Sequence, residues 1–536
     1  MPTRLVSGLG EIEGLGFSQY PNVEQYRGIP YGIVPARFRQ AKLVSSWPDG
    51  KLKATQYGPL SPYPKAIIGF SLVQKRLPVQ HEYAMDEMKC LNLNITCPTG
   101  EVPESGYPVA VWVHGGGNVA GTGADPGYDM SRLCDFSVKS GRPTVFVTIN
   151  YRLGIFGFLA SDALKEDNKA AGDEGVGNYG VRDQILAFEW VAKNIKSFGG
   201  DPSRITAVGQ SAGSIDIHMN MVSDIFSSRL PFHQAILQSG VCPLTVRDLH
   251  YQNNRFNKIL EFFGIDTSLP YNKQIEILRG IDTDKLLTSY AALGSPVPSW
   301  QGTVDEYYLK ILPKYSTIQS QQYHPSIKRV LLGDVGLEGS IFEGQIRKME
   351  WTYAKVHALA VDTLGSDTAS EVLGAYGISD NDSSDLVSSL VRLVSDAEWS
   401  QAIEGFAHGF SNGPLFYYHF ELGNPFPGPN HRKAHHGVDL LFPFLTYQDH
   451  LPDALKGLAL NMANHWLTFI HGGDPWTSYD RTSSEEAVVM LVNEDGKEVE
   501  IREVEKSSWK TLRLTETYQD KISYFALRLR GEDKNT

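Results

Sequence analysis

Residues Val208-Gly209-Gln210-Ser211-Ala212-Gly213-Ser214 decide how this chain is read. The run into them, Ile205-Thr206-Ala207-Val208, is short, apolar and partly β-branched, which predicts a strand. The stretch after Ser211 suits a helix. A strand, a Gly-x-Ser-x-Gly corner and a helix make a nucleophile elbow, where Gly209 and Gly213 leave room that side chains would fill. Such an elbow exposes the Ser211 hydroxyl and points the Ala212 N–H the same way, at the positive end of the helix dipole. The same spacing recurs at Gly409-Phe410-Ser411-Asn412-Gly413 with its flanks reversed. A helix-like stretch, 396–408, precedes it and the strand-like Leu415-Phe416-Tyr417-Tyr418 follows. Ser411 therefore reads as a glycine-rich helix stop, and Ser211 as the nucleophile.

Outward from the elbow, strands are expected at 91–95, 109–113, 145–149, 234–237, 328–332 and 415–420. The strand at 109–113 runs straight into His114-Gly115-Gly116-Gly117. Helices are expected at 180–198, where Ala187, Val191 and Ile195 fall on one face, and at 454–470. Strands alternating with helices imply an α/β fold, a mostly parallel central sheet with helices on both faces. Two helical, loop-rich stretches, roughly 245–325 and 340–413, read as cap insertions on a single domain covering 1–536.

The 536 residues are 41% hydrophobic and 21% charged, enough to build a sizeable core. A net charge of −12 argues against nucleic acid and anionic membrane as partners. Met1-Pro2-Thr3-Arg4-Leu5-Val6-Ser7-Gly8 shows no signal-peptide pattern, and no stretch approaches a membrane span. The four cysteines, Cys90, Cys97, Cys134 and Cys242, fit no zinc spacing and are few for a secreted chain of this size. The expectation is a cytoplasmic protein without metal or cofactor, its sequons at Asn94 and Asn381 unused. Nothing in the pattern reports the oligomeric state.

A serine hydroxyl needs a base beside it and a carboxylate behind that base. In α/β-hydrolase sheets these follow in the order serine, acid, histidine. His436, leading into Gly437-Val438-Asp439, is the expected base, although pattern alone does not separate it from His435. Asp334, Glu338 and Glu343 all lie past the strand at 328–332, and spacing does not choose among them. His114 is expected to shape the glycine loop. The glycines after it can turn bare N–H groups toward an oxyanion.

These residues, together with Asn150-Tyr151-Arg152, Gly177-Asn178-Tyr179-Gly180, Asp183-Gln184, Phe198-Gly199-Gly200-Asp201-Pro202 and Gln238-Ser239-Gly240, match a family. The chain resembles the type-B carboxylesterases, the carboxylesterase/cholinesterase group of the α/β-hydrolases, and is most similar to fungal members. The likeness covers nearly the whole chain, from Tyr26-Arg27-Gly28-Ile29-Pro30-Tyr31 to Gly473-Asp474-Pro475. It implies a serine hydrolase acting on small-molecule carboxylic esters. The family's motifs select Glu338 as acid and His436 as base, and map the oxyanion hole onto Gly116, Gly117 and Ala212. They also map a structural ion pair onto Arg152 and Asp183.

Several positions depart from the family. The elbow usually reads Gly-Glu-Ser-Ala-Gly, and here Gln210 replaces the glutamate. Met88-Lys89-Cys90-Leu91 stands where Glu-Asp-Cys-Leu is usual, leaving Glu87 as the candidate partner for Arg37. Ser61 stands where the family's disulfide partner of Cys90 would be. No tryptophan lies between Tyr63 and Lys89, unlike in choline-binding members, so neutral esters are expected. The same site would serve transfer of the acyl group to an alcohol. A dead binding scaffold usually lacks one of the three site residues, and all three occur here.

Overall fold

The computed structural model describes residues 1–64, 73–79, 83–223, 225–226, 229–294, 299–380, 385–480, 482, 486–506 and 508–532. The Asn381 sequon, residues 295–298 of the stretch 294–300 and part of the loop 63–89 lie outside the described residues.

Eleven strands form the main sheet: β1 (Leu15–Gly16), β2 (Val23–Pro30), β3 (Asn92–Pro98), β4 (Tyr107–Val113), β5 (Val145–Ile149), β6 (Gly200–Gln210), β7 (Gln234–Gln238), β8 (Arg329–Val335), β9 (Leu415–Phe420), β10 (Val488–Val492) and β11 (Glu498–Arg502). Their order is β11-β10-β9-β8-β7-β6-β4-β5-β3-β2-β1. The strands from β10 to β5 in that order are parallel, and antiparallel strands close both edges.

Central strands are buried on both faces, so they read as continuous apolar runs. Alternate residues nonetheless serve different layers. Val109, Val111 and Val113 join one core with Trp190 of α1 (Tyr179–Asn194). Ala110 and Trp112 join the other, where the Trp112 ring meets Phe444 at 4.9 Å and Trp466 of α3 (Asp453–Ile470) at 6.4 Å. Between α1 and α3 in the chain comes α2 (Ala212–Val222), which follows the elbow.

The expected strands and helices occur, with shifted ends. The strand expected at 91–95 runs on to Pro98, and α1 stops at Asn194 before a 3₁₀ turn, Ile195–Phe198, and Gly199 at φ 83°. One long helix was not foreseen, α4 (Trp509–Leu529). Its backbone breaks at Gln519 (φ 29°), so the apolar positions before and after that point do not share one period.

Between β8 and β9, Leu386–Val394 continues through a wide π turn, Ser395–Ser400, into Gln401–Gly409. Ser411 follows this helix on the surface and precedes β9, the order expected of a stop signal. Arg37 meets Glu87 as foreseen, Nε to Oε2 at 2.8 Å, and also caps the carbonyls of Leu278 and Ile281. Ser61 accepts a hydrogen bond from the Leu153 N–H at 2.9 Å. Asn94 is buried, its amide held by Thr148 and its carbonyl by the Gly28 N–H, so glycosylation there would require unfolding.

All four cysteines are buried and unbonded. Unfolded, unreduced protein should therefore release four thiols to a thiol reagent. Two thiols would mean a disulfide that this fold does not contain.

Candidate active site

Ser211 follows β6 directly and caps α2 with φ 56° and ψ −127°, a conformation usually left to glycine. Holding a serine there costs about 1–3 kcal/mol, which the surrounding packing must supply. The flanking glycines show why the turn tolerates nothing larger. A Cβ on Gly209 would stand 2.7 Å from the Gly213 carbonyl carbon, and one on Gly213 would stand 2.2 Å from the Val113 oxygen. Ser211 is half-buried while residues 212–221 are buried, so it is the accessible residue at this end of α2.

The glycine loop after β4 lies against the elbow. A Cβ on Gly115 would be 3.0 Å from the Ser211 Cβ. Gly116 and Gly117 take φ of 112° and 61°, and their N–H groups meet no acceptor among the described residues. Ala212 opens α2, so its N–H also lacks an intrahelical acceptor. His114 shapes this loop as expected. It stacks on Tyr151 at 4.5 Å, its Nδ1 meets the Gly115 carbonyl at 2.8 Å, and burial pushes its pKa down to about 4.

Of the three candidate acids, only Glu338 reaches a candidate base. Its Oε2 lies 2.5 Å from His436 Nδ1, and its Oε1 accepts the Val335 N–H at 3.0 Å. Both side chains are buried. The π turn braces this corner: Ser395 Oγ accepts the Gly339 N–H at 2.8 Å, and the Trp399 ring stands 5.8 Å from that of His436. Asp334 points elsewhere, to His419 Nδ1 at 2.7 Å with Lys506 3.9 Å away. Burial opposes that carboxylate, but the two cations hold its pKa below the ordinary value, while His419 is pushed up to about 9. Glu343 pairs with Arg347 and Lys433. His435 is occupied at both nitrogens, by Asn424 at 2.9 Å and the His436 carbonyl at 2.8 Å, and burial lowers its pKa to about 4.

His436 Nε2 faces Gln210 Nε2 at 3.1 Å, and the Ser211 hydroxyl takes no hydrogen bond among the described residues. The sequence flagged Gln210 only as a missing charge. Asp439, in the same loop, receives hydrogen bonds from Gln238 at 2.9 Å and Tyr418 at 2.5 Å, and burial lifts its pKa to about 6. Arg152 forms a buried two-pronged pair with Asp183, both bonds 2.7 Å, and donates to the Arg39 carbonyl at 2.6 Å. Removing one partner of such a pair costs about 3–5 kcal/mol. Among the described residues, no group of three His, Cys, Asp or Glu side chains could hold a metal ion, and no helix is long and apolar enough to cross a membrane.

A sequence profile of the carboxylesterase family matches residues 2–516. The chain belongs to the carboxylesterase family. It is 27% identical to Lipase 3 of Yarrowia lipolytica over 487 residues, 89% of this chain and 90% of that one. It is 32% identical to the fumonisin B1 esterase of Sphingopyxis macrogoltabida over 486 residues, 86% of this chain and 81% of that one. A solved thermophilic PNB esterase superposes with a TM-score of 0.73 at 25% identity, covering 95% of this chain and all of the other. This carboxylesterase-family chain is thus a carboxylic-ester hydrolase with an α/β-hydrolase fold.

Sequence reading missed Asp216, five residues past Ser211 on α2. A lone acid in the apolar run Ile215-Asp216-Ile217 was the available signal. Its carboxylate receives Gln184 Nε2 at 2.6 Å and Asn118 Nδ2 at 3.2 Å, tying the elbow helix to the glycine loop. Burial raises its pKa from 3.8 to about 7, against the pull of those two amides. Above its unfolded value the native state holds a proton that the unfolded chain releases, so this contribution to stability is present in acid and lost as pH rises from 3.8 through 7. Asp216→Asn should remove that fall. Urea midpoints between pH 4.5 and 8.5 should decline less steeply in the variant than in the parent, and parallel profiles would contradict the assignment.

Proposed function

We propose that the enzyme cleaves neutral carboxylic esters through Ser211, His436 and Glu338. Ser211 Oγ attacks the ester carbonyl carbon while its proton passes to His436 Nε2. Glu338 holds the Nδ1–H and balances the charge of the imidazolium. The N–H groups of Gly116, Gly117 and Ala212 face the tetrahedral oxyanion. His436 then gives its proton to the departing alcohol, and water repeats the cycle on the acyl-enzyme. The observation that carries this reading is the 2.5 Å contact between buried Glu338 and His436, whose Nε2 lies 3.1 Å from the amide of Gln210, the residue before the half-buried, positive-φ Ser211. Four free buried thiols support a reducing compartment, the cytosol, as its home.

Ser211→Ala should lower kcat on the order of 10⁴-fold or more, and His436→Ala about as much, because the two act as a unit. Glu338→Gln should cost roughly 10²–10⁴-fold, chiefly in kcat. Asp334→Asn, His435→Ala and Ser411→Ala are the controls for the rejected acid, base and serine. An active Ser211→Ala beside a folded but inactive Ser411→Ala would overturn the mechanism.

Cationic esters need an aromatic face with negative charge nearby. Gln210 brings no charge to the nucleophile, and the loop 63–89 brings no tryptophan. 3,3-Dimethylbutyl acetate should therefore show a higher kcat/KM than acetylcholine, its cationic isostere. The reverse order would refute the preference.

A further inference from the structure

The amide of Gln210 is wedged between the two loops that complete the site. Its Oε1 lies 2.8 Å from where a Cβ on Gly115 would stand, and its Nε2 lies 3.4 Å from where one on Gly437 would stand. Both walls of this slot are glycine, and the Gln210 side chain is buried in it. Within the slot, Gln210 Nε2 meets His436 Nε2 at 3.1 Å.

Two nitrogens at that distance need one proton between them. An amide nitrogen only donates, so His436 Nε2 must be the acceptor. The ring proton then sits on Nδ1, where Glu338 Oε2 receives it at 2.5 Å. The amide contact thereby matches and reinforces the tautomer that Glu338 sets on Nδ1 and that a general base requires. It also occupies the lone pair that must take the proton of Ser211.

We propose that Gln210 is a positioning residue for His436, holding Nε2 through its amide N–H in the free enzyme and releasing it to the Ser211 hydroxyl as the ester is attacked. This rests on the triad reading above. Proton balance is simple. The Gln210–His436 hydrogen bond breaks, the Ser211 proton moves to Nε2, and Oγ bonds to the carbonyl carbon, whose oxygen takes up the negative charge. A donor on Nε2 favours the uncharged ring, whereas an acceptor there would favour the imidazolium.

The titratable groups around His436 come from several elements. Glu338 lies on the loop after β8, and His435 and Asp439 lie on its own loop. The Trp399 ring faces it from the π turn, and the Ser340 hydroxyl accepts its backbone N–H at 3.3 Å. None of these sits on Nε2, so substitution at 210 acts on that atom directly. The same molecule shows what a carboxylate does to a buried imidazole, in Asp334 beside His419.

The test is the pH dependence of kcat/KM for 4-nitrophenyl butyrate, and of the rate of Ser211 labelling by a fluorophosphonate, in the full-length enzyme. Gln210→Met removes the donor and should move the acid limb upward by a few tenths of a pH unit. Gln210→Glu places an acceptor on Nε2 and should move it upward by about one unit or more. Limbs that coincide with the parent in both variants would overturn the proposal, even if turnover fell. The parent enzyme gives a check that needs no folded variant. Histidine ¹⁵N spectra at pH 8 should show His436, assigned by loss in His436→Ala, protonated at Nδ1 with Nε2 accepting. A proton on Nε2 would overturn the proposal. Absence of labelling at Ser211 would instead sink the triad reading. Labelling with a stationary limb sinks only the role given to Gln210.

Discussion

Where Gly213 passes the carbonyl oxygen of Val113 there is no space for a side chain, since a Cβ would stand 2.2 Å from that oxygen. This close passage lets α2 leave the elbow over the end of β4 rather than beside it. Gly209 makes the equivalent concession on the strand side. The glycine loop that follows β4 is thereby pressed against Ser211. Asp216 reinforces the passage from one turn further along α2 by gripping Asn118. The site is assembled by backbone approaching backbone, and the side chains then occupy places the backbone has already set.

The ends of the parallel strands were legible because burial on both faces writes them as short β-branched runs bounded by glycine and polar residues. The elbow was legible because its glycines answer a steric demand that no other residue meets. The acid was not legible from its own strand. Asp334, Glu338 and Glu343 differ in what they face, and that is decided by β9, by the loop 421–436 and by the segment around Lys506. Asp334 lies within β8 beside β9, where His419 and Lys506 claim it. Glu338 lies past the strand end, where the chain turns toward His436. Family motifs could choose among the three, whereas pattern could not.

What the sequence hid entirely was contact at a distance. Gln210 and His436 are separated by 226 positions, and nothing local marks either as the other's neighbour. The charged interior near the C-terminus is similar. Lys506 is fully buried between Glu404 at 2.8 Å and the Tyr417 hydroxyl at 3.0 Å, and Arg513 of α4 holds the other Glu404 oxygen at 2.8 Å. In sequence these residues resemble an ordinary solvated surface. In the fold they fasten α4 and the segment before it onto β9 and the helix Gln401–Gly409.

The π turn at Ser395–Ser400 sets the shape of the helical run from Leu386 to Gly409. A π turn is an α-helix carrying one residue too many, the surplus absorbed as a bulge instead of rotating everything downstream. Removing one residue there would restore regular winding and draw in the bulged residues, leaving the register downstream nearly as it is. Trp399, inside the bulge, would leave the ring of His436, while Gln401–Gly409 would keep its face toward the sheet. The bulge is braced by its neighbours, the Gly339 N–H on one side and the imidazole on the other. A change of length by one residue at this point would therefore act on the brace behind His436 and spare the packing of the rest of the helix.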